Sequence, residues 1–305
     1  MKRLEELARY RTNSLEGKRV VITGCGYKPV NHRFYDITTN EESHDPLFVD
    51  EKEMKMNIGT AVAGVLALNG ATVHIVSSSE DKLKNIKQSL DNIVGRTELV
   101  EYSAVNLLDE GSVKRFVRSL PTDKTLYWVQ SVGLGAGSYK VKDDNPYLPV
   151  SEIPYELIDA ELGIVKATDR MFKEFIPIFK KQRESRVAIV SSMSAIRSYS
   201  YGAAHCAAKG AIDRYANSLM LGGYKENVFI TTIRPGAIDT GMYDNPIVQD
   251  AVKVISDEYK GIWREHITLA PPTTVGEAIK LVFTTPAHFP SVNIVAKGQF
   301  PHEGS

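Results

Sequence analysis

Short apolar runs rich in β-branched residues recur along this chain at intervals that leave room for one helix between each pair. Arg19-Val-Val-Ile-Thr-Gly24 is the first, with an apolar core stopped by Gly. Such a run reads as a strand buried on both faces, the pattern of a parallel sheet. Residues 71–76, 99–105, 125–129, 187–191 and 228–233 repeat it, and residues 291–296 offer a seventh. Helical patterning fills the intervals, at residues 57–70, 81–94, 111–120, 155–181 and 205–221. Parallel strands require such crossovers, so the alternation predicts an α/β doubly wound parallel sheet. At 305 residues with 43% hydrophobic content, the chain can bury one full core as a single domain.

Two segments depart from the rhythm. Residues 1–14 carry Leu4, Leu7 and Ala8 at helical spacing among charges, which predicts a short amphipathic helix appended to the fold. Residues 27–57 are polar and rich in turn formers, and they separate the first strand from the helix that should follow it. They read as a long inserted loop, of the kind that usually serves a function.

Composition narrows the function classes. Lys+Arg and Asp+Glu both number 37, so the chain offers no net charge to nucleic acid or an anionic membrane. No apolar run approaches the ~20 residues of a membrane span. Two cysteines make no disulfide framework, and the N-terminal residues have no secretory pattern. The expectation is a cytoplasmic protein. His32, His44, His74, His266, His288 and His302 have no metal-like spacing, so no metal site is predicted. Cys206 reads as a small apolar filler. Tyr139, Tyr147, Met242, Tyr243, Trp263 and Phe289 read as packing or substrate-pocket residues, with no feature to separate those roles.

The chemistry concentrates in one stretch. The fifth apolar run ends at Ser192. His205 follows thirteen residues later, and Lys209 four after that, on an Ala-rich helix. This resembles the short-chain dehydrogenase/reductase family, whose active site is Ser followed by Tyr-x-x-x-Lys, with His205 standing at the Tyr position. The resemblance covers about residues 15–300 and implies a Rossmann-type fold. The family's turn T-G-x-x-x-G-x-G is split here: Thr23-Gly24 opens it and Ile58-Gly59 closes it, with Asn57 in place of the middle Gly. Gly24 and Gly59 stand 35 positions apart, where the family has six. Asn106-Leu107 falls where the family meets the adenine, and Gln130-Ser131-Val132-Gly133 replaces its Asn-Asn-Ala-Gly. The segment Pro235-Gly236-Ala-Ile238-Asp-Thr240 matches the family's cover over the nicotinamide.

The resemblance implies binding of NADP or NAD. Strand 2 ends Ser77-Ser78-Ser79, with no carboxylate at the ribose position, which favours NADP; Glu80 and Asp81 close behind argue for NAD. In the family, Lys lowers the pKa of the Tyr proton donor and binds the ribose, and Ser holds the carbonyl oxygen. An Asn on the preceding long helix completes a relay; its position here is Ala160. Three readings of the proton donor stay open. His205 is the general acid, although Lys209 one turn away disfavours imidazolium. Tyr201 is the donor, eight residues before Lys209, near the seven of the divergent enoyl-acyl-carrier reductases. Or redox function is lost, and the fold binds a nucleotide or partner or does non-redox chemistry. The leading expectation is a reductase of a carbonyl or conjugated alkene on a small or carrier-bound metabolite. The helices around 155–181 and Lys209 build subunit bundles in relatives, which implies a homodimer or homotetramer.

Overall fold

Every neighbouring pair in the main sheet is parallel, as the buried apolar runs require. The computed structural model describes residues 3–4, 13–36, 38–133, 148–258, 267–297 and 299. Its strands, numbered in chain order, are β1 (Lys18–Thr23), β2 (Tyr27–Pro29), β3 (Pro46–Val49), β4 (Lys52–Met56), β5 (Thr72–Ser77), β6 (Val100–Ala104), β7 (Thr125–Gln130), β8 (Ser185–Val190), β9 (Val228–Pro235) and β10 (Ser291–Ile294). Seven of them form one sheet in the order β10-β9-β8-β7-β1-β5-β6. β1 lies between β5 and β7, with Thr23 level with Val76 on one side and Gln130 on the other. The strand order reverses beside β1, and the ends of β1, β5 and β7 therefore open on one crevice.

The helices are α1 (Ile58–Leu68), α2 (Glu80–Val94), α3 (Glu110–Ser119), α4 (Tyr155–Phe179), α5 (Ala203–Gly223), α6 (Pro246–Glu258) and α7 (Pro272–Thr284). Asn57, Ser79 and Asp109 cap α1, α2 and α3 by accepting a backbone N–H from the first turn, and left-handed Gly95 stops α2. Residues of α1, α2 and α7 join one apolar core, and residues of α3, α4 and α5 join a second. The second centres on Trp128, which meets Phe175 edge-on at 5.5 Å between ring centroids. The chain is a Rossmann-type single domain, as its alternating pattern predicts. α6 and α7 were not singled out by that pattern.

Residues 27–57 are not a structureless loop. They contain a second, antiparallel sheet in the order β2-β4-β3. β2 and β4 pair Tyr27 with Met56, so the two ends of the insertion leave and rejoin the domain side by side. Leu47, Val49 and Met56 bury into the same core as α1. Of the N-terminal segment, Arg3, Leu4, Asn13 and Ser14 are described; Arg3 and Leu4 are helical, and Leu4 packs on Gly64 of α1. Leu7 and Ala8 lie outside the described residues, as do Tyr139, Tyr147, Trp263, His266 and His302.

Candidate active site

A cavity of about 610 Å³ lies along the carboxyl ends of the strands. It runs from Ser77 and Ser78 at the end of β5, past the β1–α1 turn, to Ser192, His205 and Lys209.

The split glycine turn is rejoined by its side chains. Asn57 accepts from Gly26 N at 3.1 Å and from Thr60 N at 3.0 Å, and donates through Nδ2 to Gly24 O at 2.8 Å. Thr60 Oγ1 donates to Gly26 O at 2.8 Å. Both glycines are sterically required. Gly24 has φ +91°, and a Cβ there would fall 2.5 Å from Ser131 O. A Cβ on Gly59 would fall 2.9 Å from Gly24 O. The first turn of α1 thus sits against the turn that follows β1, with its N-terminus beside the cavity. Backbone N–H groups at a helix N-terminus suit a pyrophosphate. Asn57, absent from the sequence-derived site, lines the cavity; its replacement of a Gly was the one signal available.

Most of the predicted cofactor residues meet at this cavity. Gly24, Ile58, Ser77, Ser78, Asn106 and Leu107 line one end, and Ser131, Val132 and Gly133 line the middle. Pro235, Gly236, Ile238 and Thr240 line the far wall after β9. Thr23 and Gly59 do not line it. Thr23 is buried, with its hydroxyl 3.4 Å from Val129 O, and Gly59 acts through its close approach to Gly24. Among the described lining residues there is no Asp or Glu, while Arg197, His205 and Lys209 supply basic groups. Arg197, Tyr199, Met242, Tyr243 and Gln299 also line it. Gln299 accepts from Ala237 N at 3.1 Å and so ties the chain end to the wall after β9.

Ser192, His205 and Lys209 converge as their spacing predicts, and Tyr201 does not join them. α5 begins at Ala203. Tyr201 precedes it with φ +63°, so helical-wheel reasoning does not apply to it. Its side chain packs on a third apolar cluster with Phe34 and Tyr243 instead of lining the cavity. Ser192 caps the short helical turn 193–195 through Ser194 N at 3.1 Å. Ser191 Oγ bonds Lys209 O at 3.0 Å, which holds the end of β8 against α5.

Glu161 of α4, unsuspected from the sequence, completes the cluster. Its Oε2 lies 3.9 Å from His205 Nδ1. Burial pushes the Glu161 carboxyl up, against the pull of Lys209. Burial, and then Lys209, push His205 down to about 3, so its neutral form dominates at neutral pH. Burial pushes Lys209 down, against the pull of Glu161. Cys206 is also pushed up by burial and is no thiolate at neutral pH.

Among the described residues, one group of metal-type ligands occurs, in the insertion: Glu42, His44 and Glu53, within 4.8 Å of one another. His44 presents Nε2 to Glu53 at 2.8 Å and Nδ1 to Glu42 at 3.6 Å. Its two nitrogens thus face different carboxylates, and Arg33 bonds both of those carboxylates.

The fold and the crevice define a class, the Rossmann-type nucleotide-fold proteins with their cleft at the carboxyl ends of parallel strands. The short chain dehydrogenase family matches residues 55–250, and the chain belongs to that family. It is 25% identical over 215 residues to a 3-oxoacyl-(acyl-carrier-protein) reductase, FabG, of Aquifex aeolicus, covering 70% of this chain and 78% of that one. It is similar in fold to an NADPH-bound short-chain oxidoreductase of Pseudomonas aeruginosa PAO1 described as containing an atypical catalytic center (TM-score 0.68, 16% identity, 95% of this chain and 99% of that one). An alcohol dehydrogenase of Thermococcus sibiricus complexed with 5-hydroxy-NADP gives a TM-score of 0.66 at 19% identity, over 93% of this chain and 99% of that one. Among the described residues no helix is long and apolar enough to cross a membrane.

Proposed function

We propose that the protein is an NADPH-dependent reductase of a carbonyl or conjugated alkene carried by a small or carrier-bound metabolite. The observation that carries this reading is the cavity's lining. One continuous space joins a glycine turn and helix N-terminus, a Ser77–Ser78 end without a carboxylate, and the Ser192–His205–Lys209 group. Phosphates fit the first two, and a carbonyl oxygen fits the third. NADPH would be held by the Gly24 turn, the N-terminus of α1, Ser77, Ser78, Lys209 and the wall from Pro235 to Thr240, and would supply a hydride. Ser192 would hold the substrate oxygen, and His205 would face it with a proton. Lys209 would bind ribose hydroxyls and bias the charge of its neighbours. NADP is favoured over NAD because a 2′-phosphate would meet hydroxyls and no carboxylate. The FabG likeness supports a carrier-bound substrate, and the named NADP(H) complexes support the cofactor.

Fluorescence titration with NADPH and NADH tests the cofactor, with tighter binding of NADPH expected. Oxidation of NADPH by a panel of 3-oxoacyl and enoyl thioesters, ketones and aldehydes tests the reaction. Tight NADPH binding with no turnover of any of them would favour the rival reading, a relative that binds nucleotide without hydride transfer.

A further inference from the structure

A donor to a new alkoxide must hold a proton at neutral pH and regain it after each turnover. His205, half-buried on the cavity wall beside Lys209, is pushed down to about 3, which disfavours imidazolium as the donor form. A neutral imidazole gives up the proton on one nitrogen only if the other nitrogen receives one in the same motion. The group facing that other nitrogen is Glu161, whose Oε2 lies 3.9 Å from His205 Nδ1. Glu161 is 5% exposed, on α4, one residue beyond Ala160, where the family's relay Asn was expected. Burial pushes its carboxyl up from the ordinary range, toward the protonated acid, against the pull of Lys209.

We propose that Glu161 is the proton source of this site and His205 its relay. The inference rests on the reductase reading. The Glu161 carboxyl gives its proton to His205 Nδ1 as the Nε2 proton passes to the substrate oxygen. The carbonyl π pair becomes the oxygen lone pair, and the hydride comes from NADPH. The imidazole ends as the other neutral tautomer, so no imidazolium forms beside Lys209. The charge left behind is the Glu161 carboxylate, which Lys209 stabilises. Solvent returns one proton after product leaves, and the tautomer resets. The 3.9 Å gap closes either by about 1 Å of side-chain movement or through one bridging water. Apo catalytic bonds are commonly long in this way.

The arrangement fixes a tautomer, and that is its test. Full-length protein with ¹⁵N-labelled histidine, assigned against His205→Ala, should show His205 neutral with its proton on Nε2 at pH 7. A proton on Nδ1 would mean that Glu161 is an accepting carboxylate and would overturn the proposal. Infrared spectra should show a protonated-carboxyl stretch at neutral pH that Glu161→Gln removes; its absence would also overturn it. With a substrate in hand, Glu161→Gln should lower kcat by ~10²–10³, the scale of a lost general acid. NADPH affinity should stay within about twofold in that variant, which also reports that the site is folded. Glu161→Asp should recover part of the rate. An unchanged kcat in Glu161→Gln would overturn the proposal. The two spectroscopic readouts need no substrate, so they separate this proposal from the reductase reading. A protonated Glu161 with Nε2–H on His205, in a protein that reduces nothing, would leave the pair intact and sink the catalytic role.

Discussion

At the scale of single residues, the proposed donor is His205, and the glycine turn meets its steric requirements at Gly24 and Gly59. Tyr201 lies outside the cavity lining and in a left-handed conformation, whereas His205 lines the cavity. Tyr201→Phe should therefore leave turnover near wild type, and His205→Ala should lower it by ~10²–10⁴. His205→Tyr puts a phenol beside Lys209 and should retain or raise the rate. Steady-state rates of the three variants on one substrate check this; a large loss in Tyr201→Phe would reverse the assignment of the donor. The phosphate end makes a second prediction. Ser78 lines the cavity where no carboxylate does. Ser78→Asp would set a negative charge against a 2′-phosphate and should weaken NADPH by about tenfold relative to NADH. Equal loss for both nucleotides, measured by fluorescence titration, would remove Ser78 from that role. Ser192, His205 and Lys209 could be placed together from sequence because they fall in one short stretch, and Gly24 and Gly59 because the strand and helix on either side of the insertion mark them. Glu161 could not, because its neighbours His205 and Lys209 come from a different helix. Nothing local to α4 marks a buried Glu as different from a solvated one.

At the scale of elements, the insertion is a brace, and its fastening is ionic. Lys55 of β4 is fully buried and bonds Asp239 and Asp244, each at 2.7 Å, in the segment after β9. Ser43 Oγ donates to Asp239 at 2.7 Å, and the backbone N–H groups of Asn31 and His32 donate to Asp244 at 3.0 and 3.2 Å. The ammonium also lies 5.2 Å from the Phe34 ring centroid. These contacts tie the insertion to the same segment that carries Thr240, Met242 and Tyr243 along the cavity wall. Lys55→Met would leave two buried carboxylates without their cation and should cost about 3–5 kcal/mol, read by urea unfolding. Asp45 adds a pH dependence. Its carboxyl accepts from Thr273 N at 2.7 Å, at the start of α7. Burial pushes it from 3.8 up to about 6. Between those values the folded chain keeps a proton that the unfolded chain has released. This contribution is fully present below about pH 4 and is lost as pH rises through about 6. The wild type should therefore gain stability relative to Asp45→Asn as pH falls from 7 to 4, by at most ~3 kcal/mol. Parallel denaturation curves at the two pH values check the sign. This sheet was illegible because pattern rules count apolar residues. The insertion's buried positions include Ser43, His44, Asp45 and Lys55, whose polar partners are Asp239, Glu53, Thr273 and Asp244, so they form no apolar stripe.

At the scale of the whole molecule, the doubly wound sheet could be read from the chain because its central strands are largely apolar runs between helical segments, while the edge strands β6 and β10 are more polar. That legibility came from burial on both faces, which forces the sequence to be apolar regardless of partner. The outer faces of α4 and α5 carry no such constraint from the monomer, yet they are not wholly polar. Leu162, Val165, Leu219 and Met220 are only partly buried there, and Leu221 is 69% exposed. α5 also exposes Ala203 and Ala207, small residues that allow close approach of a second surface. A face of this kind loses apolar area to water only if another subunit covers it, at about 25 cal/mol for each Å² buried. A two-fold dimer or a tetramer that pairs α4 and α5 with their copies would cover it with self-complementary contacts. Light scattering of the purified protein at micromolar concentration should give a mass of two or four chains. Leu221→Asp sets a charge in that face, far along α5 from the cavity residue Lys209. It should shift the mass toward one chain while leaving NADPH affinity unchanged. A wild-type monomer would refute the assembly, and a Leu221→Asp variant that stays fully assembled would move the interface to another face.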